Sequence, residues 1–371
     1  MLRMGPCRRG STDMPTTGLR TNLGCWVVAG MLAGFGGPAW SAEPVAMRIG
    51  SFTVAPAHTP LAVVTLRNAS NEPFQGKLRV RGPEGWGIVP DEIEVTLAAG
   101  ATVRAAFTVQ RGTIVEANSY PLEATLTGGG KTIVHQQNVV CASAPYFRPK
   151  IDGKLDDWKD AIPVTFQSGG KKTVISTYWN RKQFALLAAV EEDKLVPWRA
   201  DAPSEPCDAI QLAISPDDKP TAASPDQPAG RYEFLLVATG IAQDGRWQGK
   251  CFQLADPATK LGATQALRDL APLAADQAEV AITRKGTVTY YECAIPLKLL
   301  SELRASEGRE FCFSVLVHDP DGTGIRDWGH AAGLWPSDRN RLAWSLWPGA
   351  RWGQEPPFDN KTPWGMCSSK Y

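Results

Sequence analysis

The stretch Lys77-Leu78-Arg79-Val80-Arg81 alternates charged and apolar side chains at every step. That is the two-residue period of a strand with one solvated face and one face on a core. Outward from it, Ala62–Leu66, Gly76–Arg81, Glu92–Leu97, Thr102–Val109, Tyr120–Thr127 and Thr132–Val139 read as further strands. Between them stand Asn68-Ala69-Ser70-Asn71-Glu72-Pro73, Gly82-Pro83-Glu84-Gly85, Gly100 and Gly128-Gly129-Gly130, the residue types that tight turns need. The whole chain of 371 residues carries 35 Gly, 29 Pro and 13 Trp at 43% hydrophobic content, which suits many short strands around real cores. Lys plus Arg number 39 against 38 Asp plus Glu, a balance that argues against a general nucleic-acid binder or a polybasic membrane-surface protein.

The first 42 residues read as an export signal. Arg3, Arg8, Arg9 and Arg20 precede an uncharged stretch from Leu23 to Gly37, and small residues follow at Ala39, Ser41 and Ala42. Fifteen residues with five glycines fall short of the roughly 20 that span a bilayer, so cleavage is expected and no membrane span afterwards. Removal of residues 1–42 leaves 35 basic against 37 acidic side chains and six cysteines, Cys141, Cys207, Cys251, Cys293, Cys312 and Cys367. In a secreted or periplasmic protein that even number permits up to three disulfides, with buried free thiols as the alternative.

The composition divides the chain at Cys141–Phe147, a short proline-containing connection. The expectation is an all-β protein of two β-sandwich domains after a signal peptide: an immunoglobulin-like sandwich over 43–142 and a jelly-roll-like sandwich over 146–371. In the second region Thr173–Trp179 and Gln183–Val190 read as a hairpin around Asn180-Arg181-Lys182. Ala209–Ile214, Arg231–Ala238, Val280–Thr283, Thr287–Ile295, Glu310–Val317 and Leu342–Leu346 continue the set, and Ala263–Asp276 reads as a short helix or an irregular excursion.

Two resemblances follow from particular residues. Pro83-Glu84-Gly85-Trp86, Leu97-Ala98-Ala99-Gly100 and Phe107-Thr108-Val109 resemble the immunoglobulin-like accessory domain found beside α-galactosidases and other polysaccharide-active enzymes. That resemblance implies a spacer or support role, with Trp86 in the core under a turn. In the second region four landmarks come in order: Ile151-Asp152-Gly153-Lys154-Leu155-Asp156-Asp157-Trp158, Asp208-Ala209-Ile210-Gln211-Leu212, Tyr291-Glu292-Cys293-Ala294-Ile295-Pro296 and Phe313-Ser314-Val315-Leu316-Val317-His318-Asp319. Together they resemble carbohydrate-binding module family 9.

The second resemblance implies a terminal sugar held between two tryptophans, because a pyranose offers an apolar face for stacking and a rim of hydroxyls for hydrogen bonds. Trp335 matches the second tryptophan of the family. Glu205 stands where the first is expected, and Trp198, seven residues upstream of it, is the substitute from the same loop. The family's strand acid is replaced by Gln211. Six tryptophans fall between 328 and 364, and Trp328 and Trp335 are the members expected to be exposed in a loop. Arg326 and Asp327 complete the expected ligand set by contacting sugar hydroxyls.

Asp319-Pro320-Asp321-Gly322 presents two carboxylates in a turn, a geometry that a structural calcium ion uses, with a solvated turn as the alternative. No other cofactor is expected. The chain lacks Gly-x-Ser-x-Gly, His-Glu-x-x-His and a phosphate-binding glycine loop, and no catalytic residue is assigned. The expected function is an exported, non-catalytic carbohydrate binder. The alternatives are a hydrolase or lyase acting on polysaccharide from the same sandwich, since a glycosidase needs only two carboxylates, or a structural protein that has lost the sugar site.

Overall fold

The computed structural model describes residues 43–203, 205–216, 228–243, 245–260, 269–328, 354–355, 358–359 and 362–370. The expected signal segment 1–42, the strand expected at Leu342–Leu346 and Trp335 lie outside the described residues. The first nine strands are β1 (Val45–Ile49), β2 (Leu61–Asn68), β3 (Phe74–Arg81), β4 (Gly87–Val89), β5 (Ile93–Leu97), β6 (Thr102–Arg111), β7 (Tyr120–Gly128), β8 (Lys131–Val139) and β9 (Ser143–Pro145). β1 to β8 form two four-stranded antiparallel sheets, in the orders β1-β2-β6-β4 and β5-β3-β7-β8. Leu78 and Val80 of β3 are buried while Lys77, Arg79 and Arg81 are exposed, as the alternation requires. The inward residues of both sheets meet in one core around Val64, Leu66, Leu78, Phe107, Tyr120 and Leu126. β7 and β8 are joined by Gly129 and Gly130 with φ of 58° and 72°. Two successive positive φ values make a type I′ turn, whose twist matches that of the strands it joins.

The remaining strands are β10 (Val164–Ser168), β11 (Lys171–Trp179), β12 (Gln183–Glu191), β13 (Ala209–Ser215), β14 (Tyr232–Ile241), β15 (Trp247–Ala255), β16 (Glu279–Lys285), β17 (Val288–Pro296), β18 (Glu310–Asp319), β19 (Gly324–Trp328), β20 (Gln354–Glu355), β21 (Phe358–Asp359) and β22 (Pro363–Cys367). β20 and β21 pair only with each other. The others, with β9, build one twelve-stranded sheet in the order β10-β11-β12-β17-β16-β15-β14-β13-β18-β22-β9, with β19 on the far side of β18. β15 and β16 share a single register pair, Trp247 with Ile282. At that loose seam the sheet turns over on itself, so residues such as Phe184 and Leu186 on one limb face Phe234, Phe313 and Val315 on the other in a shared core. The result is a sandwich made by folding one sheet.

The hairpin expected around Asn180 is present, in register from Thr173 opposite Val190 to Trp179 opposite Phe184. Asn180 Oδ1 accepts the backbone N–H groups of Lys182 and Gln183 at 2.8 and 3.2 Å, closing the turn. Part of the expected Ala263–Asp276 excursion is described, and it contains a 3₁₀ turn at Ala271–Leu273. Strands β12 and β13 are covered on both faces: all seven residues of β13 are buried. A strand in this position has no polar-out alternation, which is why the pattern over Ala209–Ser215 reads as nearly continuous apolar sequence interrupted by Gln211.

The expected disulfides are not formed. All six cysteines from Cys141 onward are free and buried. They sit on strands or beside them as small apolar side chains. Among the described residues no helix is long and apolar enough to cross a membrane.

Candidate functional site

The site lies where β13 is flanked by β14 and β18. Ile210, Leu212 and Ile214 of β13 point into the large core, so Gln211 points to the opposite face of the sheet. The same parity places Glu233 of β14 and His318 of β18 on that opposite face, against Phe234 and Val317 in the core. The three side chains join into a chain of polar contacts. Gln211 Nε2 donates to Glu233 Oε2 at 3.2 Å, and Gln211 Oε1 lies 3.0 Å from His318 Nε2. Arg231 Nε donates to the other oxygen, Glu233 Oε1, at 2.6 Å, and its Nη1 reaches the Ala229 carbonyl at 3.4 Å. Arg231, Glu233 and Gln211 are fully buried and His318 is 4% exposed. Charges so placed have lost their water, and replacing the pair with apolar side chains of like volume often costs no stability. Their value is therefore directional: they fix donors and acceptors on one sheet face.

At the end of the same strands stands a second cluster. Asp208 enters β13 one residue before the pair Ala209–His318, so it lies beside Asp319 at the end of β18. One oxygen each from Asp208, Asp319 and Asp321 lie within 4.8 Å of one another. Asp319 Oδ2 accepts from Arg326 Nη2 at 2.5 Å and from Thr323 N and Oγ1 at 3.0 and 2.8 Å. Arg326 also donates to Thr323 Oγ1 and Thr173 Oγ1. Burial would raise the Asp319 carboxyl, but these hydrogen bonds outweigh it and hold the group below its ordinary value. Asp208 differs. Its Oδ2 accepts the Val196 N–H at 2.5 Å, whereas its buried Oδ1 has no hydrogen-bond partner. Burial, aided by the nearby carboxylates Glu192, Asp321 and Asp319, pushes Asp208 up to about 8. Glu192, held by Arg284 at 3.1 Å, is pushed up to about 7, again chiefly by burial.

An orphaned buried carboxylate oxygen among converging aspartates fits the calcium ion expected at Asp319 and Asp321, because oxygen ligands of this charge are what calcium takes. Asp208 is the carboxylate of this cluster that sequence reading missed. It lies in a quoted landmark, yet only the β13–β18 pairing brings it to the loop. Asp321 is exposed and paired with Lys194 at 3.0 Å, an ion pair at the surface that is weak enough to yield.

The expected aromatic platform is arranged differently. Trp328 is not an exposed loop residue: it ends β19 opposite Val315, is 7% exposed and packs edge-on against Trp364 at 5.0 Å. Trp198 is likewise 7% exposed and packs on Phe252 at 5.2 Å, in a small core with Cys207, Leu235 and Leu254. Arg326 is fully buried on Asp319, so its guanidinium is already committed. Asp327 lies opposite Leu316 on β19, and its side chain, like Trp335, lies outside the described residues. Two of the four landmarks meet elsewhere: Glu292 accepts from Trp158 Nε1 at 2.7 Å and from Gly153 N at 2.6 Å, pinning the opening turn onto β17.

No curated protein sequence matches the chain. Among solved structures it is similar to a family 9 carbohydrate-binding module from Caldicellulosiruptor kristjanssonii in complex with glucose. That match has 11% identity, covers 60% of this chain and 94% of that one, and has a TM-score of 0.35. The same module with cellotriose gives 11% identity, 61% and 93% coverage and a TM-score of 0.35. The Escherichia coli chaperone DraB gives 13% identity, 36% and 69% coverage and a TM-score of 0.20. Within the first sandwich, residues 57–128 match the family model of the NPCBM-associated NEW3 domain of alpha-galactosidase.

Proposed function

We propose that the chain is an exported, non-catalytic carbohydrate-binding protein, acting in the periplasm or outside the cell, whose second sandwich, residues 146–371, recognises glycan ends. The observation that carries this reading is the match of residues 57–128 in the first sandwich to the NEW3 domain of alpha-galactosidase. The Arg231–Glu233–Gln211–His318 chain is buried, so it orders the strands of the second sandwich and leaves sugar contact to other residues. The NEW3 match in the first sandwich supports the reading, since that domain accompanies a sugar-cleaving enzyme.

In the same reading Trp335 supplies the stacking ring. Asp208, Asp319 and Asp321 hold a structural calcium ion, which when bound supplies positive charge to Asp208 and ties the start of β13 to the β18–β19 turn. The test is tryptophan fluorescence titration of the purified protein against soluble oligosaccharides and insoluble polysaccharides, with Trp335→Ala alongside and reducing-end release followed in the same tubes. Saturable binding weakened in Trp335→Ala, without release, is expected. Release of reducing ends would overturn the non-catalytic reading in favour of a hydrolase, and absence of binding across the panel would leave a structural protein.

A further inference from the structure

A second surface lies on the first sandwich. The outer face of β1, β2 and β6 forms one side of a groove of about 1140 Å³. Along β1 the residues alternate buried and part-exposed, so Arg48 points outward from the core positions Met47 and Ile49. Arg48 lies opposite Thr65 of β2, and Thr65 opposite Arg104 of β6, so the three residues form one row across three strands. Arg67, two residues along β2 and opposite Thr102, stands beside this row on the same face. Arg67 and Arg104 are exposed.

The groove therefore gathers three guanidinium groups. Glu310 is the one carboxylate among its described lining residues, and it accepts a hydrogen bond from Thr53 Oγ1 at 2.7 Å. Thr53, Thr65 and Thr102 line it together with apolar side chains such as Val54, Leu61 and Val63, and no aromatic side chain does so among the described residues.

We propose that this groove binds a polyuronate, a glycan chain bearing a carboxylate on each sugar. The inference goes beyond the sugar-end reading and stands on this face alone. Without an aromatic ring the groove has no means of stacking a neutral pyranose. It has instead what carboxylated sugars require: planar guanidinium forks that match carboxylates two bonds at a time, among hydroxyls that serve the ring oxygens. The spacing also fits. Arg67 and Arg104 stand diagonally on the paired strands β2 and β6, with Cα atoms roughly 7 to 8 Å apart, so a chain lying along this face meets one guanidinium about every disaccharide.

The experiment is calorimetric titration of the purified protein with oligogalacturonate, with its methyl-esterified counterpart, and with vesicles containing phosphatidylglycerol. Saturable binding of the free-acid form, weakened by added salt, is expected, with roughly tenfold or greater loss of affinity in the double variant Arg67→Ala/Arg104→Ala. Both substituted side chains are exposed, so the variant is expected to keep its unfolding midpoint, and Arg81→Ala on the opposite sheet is the charge-matched control. Neutral-glycan binding in the double variant is expected to persist, which separates this groove from the sugar-end site. Absence of oligogalacturonate binding, equal binding of the esterified form or of the vesicles, or equal loss in Arg81→Ala would each overturn the proposal.

Discussion

At the scale of single residues, Asn118 shows how much one buried amide can join. Its φ of 46° lies in the left-handed region, which asparagine tolerates better than most residues. Its Nδ2 donates to the Cys141 and Pro163 carbonyls at 2.8 Å each, and its Oδ1 accepts from Cys141 N at 3.0 Å. The side chain thus ties the loop before β7 to the connection leading into β9 and to the start of β10. Asn118→Ala removes all three bonds and leaves buried backbone groups unpaired, so a loss of about 2 to 4 kcal/mol in urea unfolding is expected. The cysteines make a second residue-scale case. Burial pushes the Cys207 thiol up to about 12 and raises Cys141 as well. A thiol reagent acts on the thiolate. The processed chain is therefore expected to show no rapidly reacting thiol when native and six on unfolding without reductant, a titre that disulfides would lower.

At the scale of elements, the junction of β13, β18 and β19 is held by groups whose ionisation opposes folding. Asp208 and Glu192 are raised to about 8 and about 7. A carboxyl raised in the folded state binds its proton more tightly there than when unfolded. Its stabilising contribution is complete below the ordinary carboxylate range and is lost as pH rises through the folded value. In chelator, the thermal midpoint of the native protein is therefore expected to fall, relative to Asp208→Asn, as pH rises from about 5.5 to about 8.5. Calcium is expected to raise the midpoint most at the upper end of that range, because a cation replaces the proton, and to leave Asp208→Asn little changed. A midpoint unmoved by calcium in scanning calorimetry would remove the ion from the proposed function. The turns at this scale were the readable part. Gly129-Gly130 and Asn180 close hairpins where expected, and Gly169-Gly170, with φ of 58° and 79°, closes a third between β10 and β11 that reading Thr173 as a strand start passed over.

At the scale of the whole molecule, two hydrophobic cores are stitched together by few strands. β22 runs parallel to β9, and Trp179 Nε1 donates to the Cys367 carbonyl at 2.9 Å. Cys367 and Ile162 belong to the core of the first sandwich although they lie in the second region of the sequence. Residues 43–371 accordingly form one compact unit. Chemical unfolding is expected to show one cooperative transition by both tryptophan fluorescence and circular dichroism. Two separated transitions would show that the cores are energetically independent.

By itself the sequence determined the all-β class, six of the eight strands of the first sandwich (not β1 or β4), the hairpin at Asn180 and the carboxylates of the 319–321 turn. These rest on local chemistry: two-residue alternation, residues that favour turns, and side chains adjacent along the chain. Only the tertiary structure decided that one twelve-stranded sheet folds over to make the second sandwich, that Trp198, Trp328 and Arg326 are buried, and that Asp208 joins Asp319. The physical reason is pairing at long range. A strand covered on both faces has no polar side to mark its orientation, so which residues of β13 meet the core, the polar chain or the aspartates is set by strands β14 and β18, far away in the chain.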